Sequence, residues 1–220
     1  MKTLMKKQLF AFTLALMAYP CLQAQNPVDS KDYKGKPCEA ALIPIPQRIP
    51  GKVYCAYYDT GGEGISYHET SESNLGSGKY NPADGRYLNE FRMNEGVDIS
   101  YTKEEMDYTP KNTFNPPLGL LYIGWTDPGE WVNYTVLVRK TGTYKIQLLC
   151  SAAKDGAISL SIDGKDVTGT LGIPSTTSPH IWNLINNLAE VHLERGRHIL
   201  TLHTKETGSM NYAWLDFYND

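Results

Sequence analysis

The sequence has no surplus of positive charge: 21 Lys and Arg stand against 24 Asp and Glu in 220 residues, a formal net charge of −3. That balance argues against a basic nucleic-acid binder. Cysteine is scarce at four residues, and no CxxC or Cys/His pair has zinc spacing. There is no GxSxG elbow, no HExxH, no glycine-rich phosphate loop and no repeated acidic calcium loop, so the common hydrolase, metalloprotease and nucleotide chemistries lack their motifs. His68, His180, His192, His198 and His203 are scattered, with no i, i+4 pair on a plausible helix. No stretch after residue 52 keeps a helical period for three turns, which excludes a helical domain. Phenylalanine is short too, 5 residues beside 15 Tyr and 4 Trp. Aromatics with a polar edge suit half-wet strands and binding platforms better than dry interiors.

The first residues read as a secretory leader. Lys2, Lys6 and Lys7 precede the apolar run Leu9 to Met17, and Ala24 offers a small residue before a cut at Gln25. The run is well short of the ~20 residues that a bilayer-spanning helix needs. Residues 1–24 are therefore expected to be removed and the remainder secreted to the periplasm, cell surface or medium. Of the 21 basic residues three leave and no acid does, so 18 face 24 acids, a net −6. Such a chain seeks neither nucleic acid nor membrane insertion. Cys38, Cys55 and Cys150 remain; an odd count allows one bridge at most within a monomer, and Cys55 and Cys150 read equally well as small apolar strand residues.

Residues 25–50 are rich in proline (Pro44, Pro46, Pro50) and read as a lead-in segment. From there to residue 220 the period is two. Tyr144, Ile146, Leu148 and Cys150 alternate with Lys145, Gln147 and Leu149; Ile158, Leu160 and Ile162 alternate with serines; Ala189, Val191 and Leu193 alternate with Glu190, His192 and Glu194. One face is buried and one wet, as in antiparallel sheets. Turn pairs at Pro128-Gly129, Thr141-Gly142, Asp155-Gly156, Asp163-Gly164 and Arg195-Gly196 punctuate the runs. The expected fold is all-β, a two-sheet antiparallel sandwich over 51–220. Two polar segments without alternation, roughly Glu69 to Glu95 and Lys103 to Pro117, read as long loops, which in compact domains are functional or mobile.

The tryptophans offer the best chemical lead. Trp131 and Trp214 have apolar strand neighbours, and core packing is the first reading for both. Trp125, in Gly124-Trp-Thr-Asp-Pro-Gly-Glu-Trp131, and Trp182, in a loop-like segment beginning at Pro174, have no automatic burial. An exposed indole suits the apolar face of a pyranose, with nearby donors and acceptors for its hydroxyls. Glu63, Asp98, Asp127 and Glu130 are the carboxylates from which a glycosidase pair could be drawn, and their separation in space is the test.

IPGKVYCAYYDTGGEGISYHET from Ile49, EGVDIS from Glu95, YIGWTDPGEWVNYTVLV from Tyr122, TGTYKIQLLC from Thr141, SIDGKDVTGT from Ser161 and SMNYAWLDF from Ser209 occur in that order. As a set they resemble carbohydrate-binding module family 6. The resemblance implies a jelly-roll sandwich of the galactose-binding-like type and a non-catalytic module for polysaccharide or oligosaccharide, of a kind usually attached to a glycoside hydrolase; a separate glycoside hydrolase is the candidate partner. It also implies a site in the loops at one end, where two rings clasp a sugar and an Asn bonds its hydroxyls. Those roles fall on Trp125, Trp182 and Asn211, with Glu63 as a further acceptor at the rim. The family's calcium-holding acids fall on Tyr54 and Ala56, leaving Asp216 as one carboxylate, a poor site for an ion that takes six to eight oxygens. The alternatives to sugar binding are a scaffold domain that binds protein, recognised by a flat apolar patch in place of a cleft, and a small polysaccharide-cleaving enzyme.

Overall fold

A computed structural model describes residues 32–38, 43–71, 73–206 and 209–219. The leader expected at 1–24 lies outside them. In chain order the elements are β1 (Gln47–Ile49), β2 (Gly51–Tyr54), β3 (Tyr67–His68), β4 (Ser77–Gly78), β5 (Asn81–Pro82), α1 (Tyr87–Glu90), β6 (Ile99–Tyr101), α2 (Glu104–Asp107), β7 (Leu121–Ile123) and β8 (Trp131–Val138), followed by β9 (Gly142–Ala152), β10 (Gly156–Ile162), β11 (Lys165–Asp166), β12 (Leu171–Ile173), β13 (Ser178–Leu193), β14 (Gly196–Glu206) and β15 (Met210–Tyr218).

Besides a separate two-stranded sheet, β4-β5, the strands form two large sheets. One runs β1-β8-β14-β10-β11, with β3 also on β8 and β12 on β10; the other runs β13-β9-β15-β7-β6, with β2 on β15. The long pairings are antiparallel, as the alternation predicts. Two short ones are parallel, β1 with β8 and β4 with β5. The sandwich also starts earlier than residue 51: Ile49 pairs with Val138 and is fully buried, so the end of the lead-in is a strand of the domain.

Between the sheets, Tyr134, Val136, Val138, Ile158, Leu160, Leu200 and Leu202 meet Tyr144, Ile146, Leu148, Cys150, Tyr212, Leu215 and Phe217. The even-numbered residues of β9 point inward, as alternation requires. Cys55 and Cys150 belong to this core, and none of Cys38, Cys55 and Cys150 is in a disulfide. Burial pushes the Cys55 and Cys150 thiols up to about 12.

The second sheet is covered on its outer face as well. There Tyr122, Leu149, Trp182, Ala213 and Trp214 form a separate apolar cluster, with Tyr54, Phe114, Leu120 and Leu184 packed against it. A register shift between Tyr212 and Trp214 explains the change of face along β15: Met210 and Tyr212 point into the sandwich, Trp214 points out, and Leu215 and Phe217 point in again. The cover is the segment between β6 and β7. Its Phe114 ring meets Trp214 edge-on at 6.0 Å, and α2 contributes a carboxylate to Trp182. The Lys103 to Pro117 segment, expected as a long loop, is the lid of a second small core. Among the described residues no helix is long and apolar enough to cross a membrane.

Candidate functional site

The β7–β8 turn is built to present one ring. Gly124 donates its N–H to the Asp98 carbonyl at 2.9 Å, and Thr126 donates its hydroxyl to the Met210 carbonyl at 3.1 Å. Glu130 closes the turn from within: its carboxylate accepts the Asp127 N–H and the Thr70 hydroxyl, both at 2.7 Å, and the residue is 7% exposed. Between these anchors Trp125 is held at φ +50° and remains 38% exposed. A bulky non-glycine residue in the left-handed region is uncommon, and such strain gathers at ligand sites. Its indole stacks on Tyr80, with ring centroids 5.5 Å apart and planes within 5°.

Asn211 lies beside this turn at the start of β15. Its Nδ2 donates to the Pro179 carbonyl at 2.7 Å and to the Ser151 hydroxyl at 3.1 Å, which fixes the amide. Its Oδ1 faces Gly124, where an added Cβ would sit 2.7 Å away. The glycine therefore lets the turn pack closely on that carbonyl oxygen, and Asn211 itself is 5% exposed. The structure thus brings Trp125 and Asn211 together.

Trp182 does not join them. Its exposure is 0%. Its indole N–H donates to Asp107 Oδ1 at 2.9 Å, its backbone N–H donates to Asn112 Oδ1 at 3.0 Å, and Tyr122 packs edge-on at 5.2 Å. The segment expected to be a loop is the start of the 16-residue strand β13. Leu184 pairs with Leu149 on the outer face, and Trp182, two residues earlier, belongs to the same outer cluster and is roofed by the 103–117 segment. Trp182 is a core residue, and the two-tryptophan clasp is corrected to a single exposed indole.

Glu63 lines a neighbouring cleft of about 700 Å³ with Tyr67, Glu69, Asn74, Lys79 and Glu95. Its carboxylate meets His68 Nδ1 at 2.5 Å and accepts the Glu69 N–H at 3.0 Å, so much of its bonding capacity is used locally. Behind this cleft the acids crowd. Burial, and next the Glu130 carboxylate, hold the Glu69 carboxyl well above the usual range. Burial above all, with Glu130 and Asp127 adding like charge, pushes Asp98 up to about 6 against the N–H of Leu75. Glu69 and Glu130 are within hydrogen-bonding reach of one another. A glycosidase pair stands roughly 5–9.5 Å apart across a bond, whereas Glu130 is buried and pins loops through the Asp127 N–H and the Thr70 hydroxyl.

Asp216 accepts a hydrogen bond from Gln147 Nε2 at 3.0 Å on the outer part of β15, opposite Lys52. Among the described residues no three His, Cys, Asp or Glu side chains gather as a metal site. Sequence reasoning missed Tyr80, Gly124 and Glu69. Tyr80 lies in a polar segment without period, and only its position in space marks it.

Residues 92–219 match the model of the carbohydrate binding module family 6. The chain belongs to that family. Among solved structures, a β-1,3-glucan-binding family 6 module from Bacillus halodurans is 15% identical, with a TM-score of 0.50 over 80% of this chain and 100% of that one. The C-terminal family 6 module of a laminarinase from Zobellia galactanivorans is 24% identical over 45% of this chain and 80% of that one, TM-score 0.41. A module of lichenase 5A from Cellvibrio mixtus, solved with cellotriose, is 22% identical over 56% and 98%, TM-score 0.41. At these identities the likeness to the Bacillus halodurans module is one of fold. No curated protein matches the chain. As a member of family 6 it is a carbohydrate-binding module.

Proposed function

We propose that this carbohydrate-binding module acts after secretion, without catalysis, and takes one sugar ring of a neutral polysaccharide on Trp125, with Asn211 Oδ1 accepting from its hydroxyls. A glycoside hydrolase that shares the glycan is its expected partner. The observation that carries this reading is the half-open indole of Trp125, held on a turn that packs against the Asn211 amide. The crowded, bonded acids of the neighbouring cleft support binding over bond cleavage.

One indole face removes about 60–100 Å² of apolar surface from water when a pyranose stacks on it, roughly 1.5–2.5 kcal/mol. Two or three hydrogen bonds add about 0.5–1.5 kcal/mol each, against ordering and association costs of several kcal/mol. The gross gain is about 2.5–7 kcal/mol, so after these costs a weak dissociation constant of about 1 mM or above follows. The test is native affinity electrophoresis in gels containing laminarin, hydroxyethylcellulose, xylan or galactan. The protein is expected to be retarded in at least one and Trp125→Ala to run free. Equal mobility of the two proteins in every gel refutes the site.

A further inference from the structure

The segment from Glu69 to Glu95 leaves Tyr80, Tyr87 and Met93 exposed, and Tyr80 is the most exposed of the three. Tyr80 is 71% exposed. No described residue bonds its hydroxyl, and its ring lies flat on Trp125, at 5.5 Å between centroids and 5° between planes. A pyranose between two facing rings needs them roughly 8–10 Å apart. At 5.5 Å nothing fits between, so Tyr80 occupies on Trp125 the position that a stacked sugar would take.

The backbone around Tyr80 is anchored while its side chain is not. The Tyr80 N–H donates to the Leu75 carbonyl at 3.2 Å, and the N–H groups of Lys79 and Asn81 donate to Gly76 at 3.2 and 2.9 Å. The ring can therefore leave Trp125 by a χ1 rotation without unfolding its loop. What it gives up is one exposed aromatic contact.

We propose that Tyr80 is the gate of the glycan site: in the free protein it caps the Trp125 indole, and a sugar gains that face only by displacing it. Tyr80 then determines specificity, because a ring with a weak apolar face cannot compete with the phenol. This rests on the reading of Trp125 as the sugar platform. An exposed aromatic pair of ordinary strength leaves the open form at roughly one part in three to one in thirteen, and apparent affinity falls by that fraction.

Tyr80→Ala is expected to tighten retention in the laminarin, hydroxyethylcellulose, xylan or galactan gel that holds the wild type, by about three- to thirteenfold in dissociation constant. Tyr80→Trp, whose larger ring stacks more strongly, is expected to weaken it. Acrylamide quenching of tryptophan fluorescence reads the cap directly and should rise in Tyr80→Ala, because Trp182 and Trp214 are buried and Trp125 is the most exposed indole. Weaker or unchanged retention of Tyr80→Ala, or unchanged quenching, overturns the gate while leaving Trp125 as the platform. Retention of neither wild type nor Tyr80→Ala in any gel removes the platform, and the gate with it. Retention of Tyr80→Ala alone supports both.

Discussion

Trp182 and Trp125 should fail in opposite ways, and the contrast follows from their surroundings. Trp182 is entirely enclosed and its N–H serves a carboxylate that is itself 1% exposed. A tryptophan buries about 150–250 Å², and truncating one to alanine costs about 3–5 kcal/mol. The Asp107 carboxylate would also lose one of its donors, keeping the Lys103 N–H and its contact with His180 Nδ1. Losing a hydrogen bond to a charged group adds about 1.5–3 kcal/mol. The sum approaches the whole stability of a typical domain, so Trp182→Phe is the sharper probe. It keeps most of the ring and removes the N–H, for a loss of about 1.5–3 kcal/mol and a Tm lowered by roughly 3–12 °C. Urea denaturation and calorimetry measure this, and gel retention of the folded variant should match wild type. Trp125→Ala should instead change stability by no more than about 1.5 kcal/mol, the worth of the Tyr80 stack, while abolishing retention. A Trp182→Phe protein of unaltered stability that no longer holds glycan would refute the assignment of Trp182 to the core.

Three further outcomes are expected. Burial and the neighbouring acids hold the Glu69 carboxyl well above its ordinary range and Asp98 up to about 6. The folded chain then binds more protons than the unfolded one above about pH 4, so stability falls as pH rises through that range; Glu69→Gln should flatten the fall in urea midpoint between about pH 5 and pH 9, and an unchanged slope would contradict the carboxyl pairing. Gly124→Ala drives a Cβ to within 2.7 Å of Asn211 Oδ1, costs about 1–3 kcal/mol through overpacking, and should release the protein from its glycan gel; full retention would remove Asn211 Oδ1 from the site. Cys55 and Cys150 should resist iodoacetamide at about pH 8 until urea unfolds the chain, because their thiols are enclosed and pushed up to about 12; peptide mapping that finds either alkylated in the native protein would contradict that burial.

The sandwich core was readable because it obeys a two-residue period that local sequence displays. Tyr144, Ile146, Leu148 and Cys150 all point inward, as do Ile158, Leu160, Val191 and Leu193. The fate of Trp182 was not, since its lid comes from Asp107, Asn112 and Thr113, some 70 positions earlier in the chain. Nothing near Pro174 announces that cover, and the register shift between Ser178 and Asn183 hides the strand's parity. Trp125 and Asn211 were named by motif, and the fold packs Asn211 against Gly124, the residue before Trp125. Tyr80 belongs to a polar stretch whose path is set by contacts such as Asn74 Oδ1 accepting from Gly76 and Ser77, which no periodicity encodes.

The roof over Trp182 and Trp214 has a bearing on where this architecture can change. Trimming residues 103–117 would uncover two indoles and leave Asp107's partners without it, so cooperative folding ties that stretch to the sheet beneath it. The opposite holds at Lys79 and Tyr80, an exposed tip at the lip whose side chains can be rewritten without opening an interior. Diversification of ligand choice on this scaffold is thereby channelled to one side of the mouth, while the other side is mortgaged to stability.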